Sequence, residues 1–293
     1  MNYLQYEVLL RVLEVGTLSK VAEEMKYTQS GLSRMINSIE SELGMRLVDR
    51  DRGGVRLTAE GELLIPYIRD IVSAQKNLEE AVNDIKGLNK GLIRIGTFNS
   101  ASAQWLPGMI KEFTDENPGM HFELVHGTDE YTRAMTEAGR LDMCFTDYPT
   151  KADLEEDFLV NDQIVAIFSE NDPYAKHKSI KLSELENMPY VELNEGVDDE
   201  ITRILNMNDI TLDPRFSESD DHAVIAMVEK GLGTSLMSEM MLRGFTARIA
   251  KVPLDPPAYR QIGIACRDKS KLSIAARAFM EHAEDWIKRN YSE

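Results

Sequence analysis

The chain has 293 residues, of which 33 are Lys or Arg and 50 are Asp or Glu, for a formal net charge of −17. That length accommodates about two domains with cores of their own. No apolar run approaches the ~18 residues of a membrane span and no leader-like apolar segment follows Met1, so neither secretion nor membrane insertion is expected and a cytoplasmic location is.

In chain order, the first informative pattern begins at Thr17, a candidate N-cap followed by Leu18, Val21, Ala22 and Met25 at helical spacing. This predicts a short helix to about Lys26, with a turn over Tyr27 to Ser30. Leu32, Ile36, Ile39 and Leu43 then recur at offsets of 4, 3 and 4 and form one inward stripe of a second helix, with Thr28 or Gln29 near its start. The opposite face carries Ser30, Ser33, Arg34, Asn37 and Ser41. These are short hydrogen-bonding groups plus one cation, the chemistry that reads base edges in a major groove. Spacing alone would also fit an ordinary αα-hairpin. Gly44 closes the second helix, and Arg46, Arg50, Arg52 and Arg56 follow around Gly53-Gly54. A Gly-Gly turn between basic arms predicts a hairpin wing that offers guanidinium groups to phosphates or a minor groove.

The segment Gly16 to Gly61 resembles the N-terminal winged helix-turn-helix of LysR-type transcriptional regulators. The likeness continues through RLVDRDRGGVRLTAEGELL, which is similar to the family's wing and the Leu-Thr-x-x-Gly start of its linker helix. Ser30 and Gly31 stand where the family usually has Pro-Ala, and Gly in a helix costs ~1 kcal/mol relative to Ala. The expected DNA-binding residues are Thr28, Gln29, Ser30, Ser33, Arg34 and Asn37 on the recognition helix and Arg50, Arg52 and Arg56 in the wing.

Residues 1–60 hold 8 Lys+Arg and 9 Asp+Glu, and residues 61–293 hold 25 and 41. The acidity therefore belongs to the remainder, which repels DNA, while arginines clustered after the recognition helix can hold phosphates locally. Between Thr58 and Gly87, Leu64, Ile71, Leu78 and Ile85 repeat at seven, interleaved with Ile68, Gln75 and Val82. This is a heptad seam with one polar position, expected to pair with a second copy. A solitary amphipathic helix packed on its own domain is the alternative. Pro66 inside the pattern removes one backbone hydrogen bond. Gly87, Asn89 and Gly91 stop the helix.

From Leu92 strand and helix signals alternate: LIRIG, a helix from about Ala101 to Glu116, MHFELVH, a helix after Thr128, and LDMCFT, which argues for a helix-covered parallel sheet. VNDQIVAIFS, MPYVELN, a helix around Ala223 to Lys230, GTSLM, YRQIGIACR and a final helix from about Leu272 to Lys288 follow. This half resembles the LysR-type effector domain. The expected fold class is α/β with an N-terminal mainly α winged helix-turn-helix, followed by two Rossmann-like α/β subdomains of the type 2 periplasmic-binding-protein kind. The expected domains are 1–58, a linker helix over 59–90, and 91–293. Within the last, one lobe takes about 92–162 and 268–293 and the other about 169–260, with crossing strands near Gln163–Phe168 and Gln261–Arg267.

Ligands in open α/β sheets sit beyond the carboxyl ends of strands. Ser100 and Ser102 follow LIRIG, Thr128 follows MHFELVH and Thr146 follows LDMCF, all at helix starts or turns that suit an anion. These positions match those from which the family's first lobe contacts effectors. Asn194 and His222 are the candidates from the second lobe. Each could instead serve its own helix as a cap. The expected effector is a small anionic molecule.

The five histidines lack metal-ligand spacing, and no GxSxG elbow, P-loop or paired-cysteine motif is present, so no catalytic residue, metal or cofactor is expected. Cys144 and Cys266 lie in apolar runs and suit reduced thiols. The resemblance implies a regulator that binds promoter or operator DNA as a dimer or tetramer, answers to an effector and meets RNA polymerase. A cytoplasmic solute-binding protein without regulatory output and an enzyme on the same two-lobed fold are the alternatives.

Overall fold

A computed structural model of the chain describes residues 2–51, 54–85, 91–150, 152–194 and 200–291. The first helix, α1 (Tyr3–Val15), starts with a capping box: the Asn2 side chain accepts from the Leu4 amide at 3.2 Å, and Gln5 accepts from the Asn2 amide at 2.9 Å. Gly16, at φ 78°, ends it in the left-handed conformation that glycine adopts without strain. Helices α2 (Leu18–Met25) and α3 (Gln29–Leu43) follow, the latter capped by Thr28, whose hydroxyl accepts from the Gly31 amide at 3.0 Å. Leu32, Ile36 and Ile39 of α3 are fully buried against Val8, Leu9, Val12 and Val21, as the helical period predicts. Strands β1 (Val48–Asp51) and β2 (Gly54–Leu57) form the antiparallel wing. The Glu40 carboxylate ties it to α3 by accepting from the Leu47 and Val48 amides at 2.7 and 3.1 Å.

Helix α4 (Ala59–Ile85) has 27 residues and spans roughly 40 Å at 1.5 Å per residue. Its first turn lies so close to the wing that a Cβ on Gly61 would fall on the Leu47 carbonyl oxygen. Glycine is required there by contact. Ile65, Ile68 and Val72 are buried in the N-terminal core and Leu64 packs on it. The expected heptad seam is therefore split. Ile68 and Leu64 belong to the chain's own N-terminal domain, because this end of the helix covers α1. Leu63, Tyr67, Ile71, Leu78 and Val82 form the exposed apolar stripe instead. The side chain of Ile85, with Gly87 and Asn89, lies outside the described residues.

The rest of the chain runs β3 (Gly91–Thr97), α5 (Asn99–Gln104), α6 (Leu106–Glu116), β4 (Met120–His126), α7 (Asp129–Glu137), β5 (Met143–Asp147) and β6 (Glu155–Ser169). It continues with α8 (Leu182–Leu185), β7 (Tyr190–Leu193), α9 (Glu200–Met207), β8 (Pro214–Glu218), α10 (Asp221–Glu229), β9 (Ser235–Ser238), β10 (Ile249–Cys266) and α11 (Ile274–Tyr291). The single helix expected from Ala101 to Glu116 is broken at Trp105. Pro107 lacks an amide donor and is tolerated only in a first turn, so a new helix begins at Leu106 and the Trp105 ring drops into the core.

Six strands join in the order β4-β3-β5-β10-β6-β9, and β7 pairs with β8 apart from them. The long strands β6 and β10 are antiparallel partners and belong to both lobes. Ile262 to Ala265 of β10 pair with β5 in the first lobe, and Ile164 to Ile167 of β6 pair with β9 in the second. The first lobe packs Trp105, Phe113, Phe145 and Phe279 between its sheet and α11. Cys144 and Cys266 are fully buried there, and burial pushes their thiols up to about 12 and about 11, so both stay protonated and unreactive at neutral pH.

Candidate functional site

Two surfaces carry the chemistry expected from the sequence. On the first, Thr28, Gln29, Ser30, Arg34 and Asn37 are exposed and Ser33 half-exposed, all on the face of α3 opposite its buried stripe. Among the described residues, Arg34 is anchored only by its Nε donating to the Ser30 carbonyl at 3.3 Å. Arg50, expected as a free wing cation, reaches back to α3, donating to the Ser33 hydroxyl at 2.6 Å and to the Asn37 carbonyl oxygen at 2.9 Å. It holds the recognition face and the wing in one frame. Arg56, opposite Asp49 in the wing, is exposed and has no hydrogen bond or ion pair among the described residues. Arg52 lies outside the described residues.

The second surface is a cavity of about 600 Å³ between the two lobes. Thr128 and Asn194 line it, one from each lobe. The Thr128 hydroxyl caps α7, accepting from the Tyr131 amide at 3.3 Å. Ser100 and His222 border an adjoining cavity of about 650 Å³, where the His222 ring packs on Phe245 at 4.5 Å. The other two hydroxyls face inward. Ser102 donates to the Thr97 hydroxyl at 3.1 Å, and the fully buried Thr146 donates to the Asp129 carboxylate at 2.6 Å. Thr146 thus positions Asp129 and does not line the cavity.

The charged groups of this cleft escaped sequence reasoning. Arg260 of β10 stands directly opposite Asp162 of β6, and its guanidinium donates to that carboxylate at 2.9 Å and to the Ser100 hydroxyl at 2.7 Å. Both side chains are less than a tenth exposed. The other Asp162 oxygen accepts from the Met240 amide at 2.9 Å, so one buried pair binds elements of both lobes. An Asp just before the apolar run Ile164–Phe168 and an Arg just before Ile262–Cys266 were the available signal, since buried charges need partners. Across the mouth, Arg203 of α9 pairs with Asp147 at the end of β5 and with Glu200. Arg133 pairs with Asp129 at 3.0 Å. Burial, reinforced by the charge of Asp147, raises the Asp129 carboxyl above the ordinary range.

With this geometry in place, comparison with known proteins is specific. Residues 4–62 match the family described as bacterial regulatory helix-turn-helix protein, lysR family, and residues 86–288 match the LysR substrate binding domain. The HTH-type transcriptional regulator YvbU of Bacillus subtilis (strain 168) is 30% identical over 288 residues, covering 97% of this chain and 98% of its own. The HTH-type transcriptional activator CmpR of Synechocystis is 25% identical over 95% of this chain and 93% of its own. A full-length OxyR variant from Pseudomonas aeruginosa shares the fold, with a TM-score of 0.79, 19% identity and 98% coverage of each chain.

The buried pair makes its own prediction. Asp162→Ala strands the Arg260 charge and removes the acceptor of the Met240 amide, so it should lower unfolding free energy by about 3–5 kcal/mol. Denaturant titration followed by tryptophan fluorescence measures this, and a loss below about 1 kcal/mol would show the pair to be hydrated and structurally idle.

Proposed function

This chain belongs to the LysR family of bacterial helix-turn-helix regulators, and from that premise we propose how its parts divide the work. It is a DNA-binding transcriptional regulator with a small-molecule effector domain. The observation that carries the residue-level reading is the polar, exposed face of α3 framed by the wing. Gln29, Ser30, Ser33 and Arg34 meet base edges, and Arg56 meets phosphate. Arg50 acts on DNA mainly by holding Ser33 and Asn37 in place. The protein works on promoter DNA in the bacterial cytoplasm.

The exposed stripe Leu63, Tyr67, Ile71, Leu78 and Val82 on α4 supports self-association through this helix, which places two recognition helices on one operator. A tetramer of such dimers and contact with RNA polymerase extend the same reading. The effector enters the 600 Å³ cleft. The expectation of a simple anion is weakened there, because Asp129 and Glu130 occupy the first turn of α7 and already offset the helix dipole an anion would use. Asp147 and Glu200 add two more carboxylates beside Arg133 and Arg260. The lining favours a hydrogen-bonding effector that carries an amino group, alone or beside a carboxylate. Such a group competes for Asp147 and Asp129 and so loosens the clasp that Arg203 makes between the lobes.

Three measurements test these assignments. Arg34→Ala should weaken binding to the cognate operator by ~1–3 kcal/mol relative to random DNA, and Arg56→Ala should weaken both alike and flatten the log–log salt slope by about one. Footprints in which neither variant changes would place the DNA contact elsewhere. Ile71→Lys and Leu78→Lys should each convert the assembly to monomer in light scattering and abolish tight binding to a two-half-site operator; intact oligomers in both would move the interface off α4. In a thermal-shift screen graded by ligand charge, amino-bearing compounds should stabilise the chain and lose about tenfold in affinity with Asp129→Asn, which is ~1.4 kcal/mol. Stabilisation by plain carboxylates alone, unaltered in that variant, would restore the anionic effector.

A further inference from the structure

A third cavity, of about 690 Å³, lies outside the cleft, where α1, α4 and the first lobe meet. Arg69 projects into it from α4 and Arg140 from the turn after α7. Arg69 is half-buried and forms no hydrogen bond or ion pair among the described residues. Among the described residues, Arg140 has a fully buried Nε without an acceptor, and its Nη1 reaches only the Met135 sulfur at 3.7 Å. Arg267, which pairs with Asp70 of α4, stands close enough that its charge, with that of Arg140 and the burial of the site, lowers the Arg69 pKa. Two guanidinium groups from two halves of the protein thus line one half-enclosed space, and that of Arg267 stands beside its wall at Gly139.

The carboxylates around that space are already engaged. Glu14 and Glu24 hold Arg11 at 3.0 and 2.8 Å, Glu123 holds Arg94 at 3.1 Å, Glu7 accepts from the Tyr3 hydroxyl at 2.6 Å, and Asp142 accepts from the Arg94 amide at 2.7 Å. Glu14 is near enough to raise the Arg69 pKa, yet burial and the two other guanidinium groups outweigh it. In a chain of net charge −17, two guanidinium groups with no hydrogen-bonded carboxylate among the described residues are conspicuous. Like charges at reduced dielectric repel strongly unless an anion enters between them. A planar guanidinium fork favours an oxyanion that can accept two parallel hydrogen bonds.

We propose that this junction is a binding site for a multivalent oxyanion of the phosphate type, held by Arg69 and Arg140 and flanked by Arg267. The site is separate from the effector cleft and does not depend on how that cleft is read. Its ligands come from the linker helix and from the first lobe, so a bound anion fixes the angle between the DNA-binding half and the effector half. The volume admits a phosphate ester as well as the free ion.

The test is thermal melting of the full chain in sodium phosphate, in glycerol 3-phosphate and in sodium chloride at matched ionic strength. A saturable rise in Tm with phosphate or the ester, absent with chloride, is expected. Arg69→Gln and Arg140→Gln should each weaken that response at least tenfold, while Arg94→Gln, paired and on the same cavity wall, should leave it. A tenfold preference for the ester identifies a phosphorylated metabolite as the source, and equal responses identify free phosphate. Both glutamine variants should melt no lower than the parent chain in chloride, because they relieve repulsion. If either does melt lower, Arg140→Lys replaces it, keeping the charge and losing the fork, with the same tenfold loss expected. No saturable response to either phosphate compound, or an equal response in the variants, overturns the site.

Discussion

The antiparallel pairing of β6 with β10, pinned where Arg260 faces Asp162, is the constraint on which the effector half depends. Each strand starts in one lobe and ends in the other, so one six-stranded sheet runs through both lobes by way of this shared pair. Strand side chains alternate between faces, and a slip of one residue would turn the guanidinium away from its carboxylate. A buried ion pair contributes little net stability over apolar packing, but a mispaired one is expensive, which makes it a register lock. Ser100 from the first lobe and the Met240 amide from the second both hydrogen-bond to this pair. The cleft is thereby hung on its hinge: any movement of the lobes has to be accommodated around these four groups.

What the sequence made legible is what one-dimensional period encodes. The stripe Leu32, Ile36 and Ile39 and the polar face behind it are read directly from spacing, and the alternation of strands and helices from Leu92 is read the same way. Period cannot name the neighbour, however. On α4 the apolar positions were plain, yet Ile68 faces α1 and Ile71 faces outward, and only the crossing geometry of two helices decides which. The cleft shows the same limit. Thr128 and Thr146 look alike, small hydroxyls just beyond strand ends, but Asp129 sits seventeen residues before Thr146 and takes its proton into an internal bond. Trp105 kept the apolar character of a helix interior while Pro107 dictated a restart. The charges that matter most, Arg260 and Asp162, were visible as costly residues just before apolar runs, and their pairing required knowing which strands meet.

Charge placement separates the two halves by function. Through the effector half and the junction, most of the described arginines are paired with carboxylates: Arg94 with Glu123, Arg133 with Asp129, Arg203 with Asp147 and Glu200, Arg248 with Glu229, Arg260 with Asp162, Arg267 with Asp70 and Arg289 with Glu112. In the wing, Arg56 has no partner among the described residues. An acidic body with paired cations discourages sliding onto any DNA, and on the proposed reading it leaves phosphate contact to the few guanidinium groups free on the N-terminal domain. The same logic makes the Arg69 and Arg140 pair meaningful, because surplus carboxylate was available throughout the chain to neutralise them.

Communication between the halves has a continuous physical carrier. Strand β10 holds Arg260 at the cleft and ends at Cys266, and the next residue, Arg267, clasps Asp70 on α4. Seven residues of strand, roughly 23 Å, separate the two arginines. Further along, Asn77 of α4 donates to the Lys271 carbonyl at 2.7 Å, a second tie between helix and lobe. At its other end α4 is built into the N-terminal core through Ile65, Ile68 and Val72. A shift of β10 at the hinge is therefore delivered to a helix that cannot move without carrying the DNA-binding domain with it and, on the proposed pairing, without changing how its exposed stripe meets a second copy. An effector moves that equilibrium only by the difference in its affinity for the two arrangements. The groups able to supply such a difference are those whose partners change between the lobes, with Arg203 and Asp147 foremost among them.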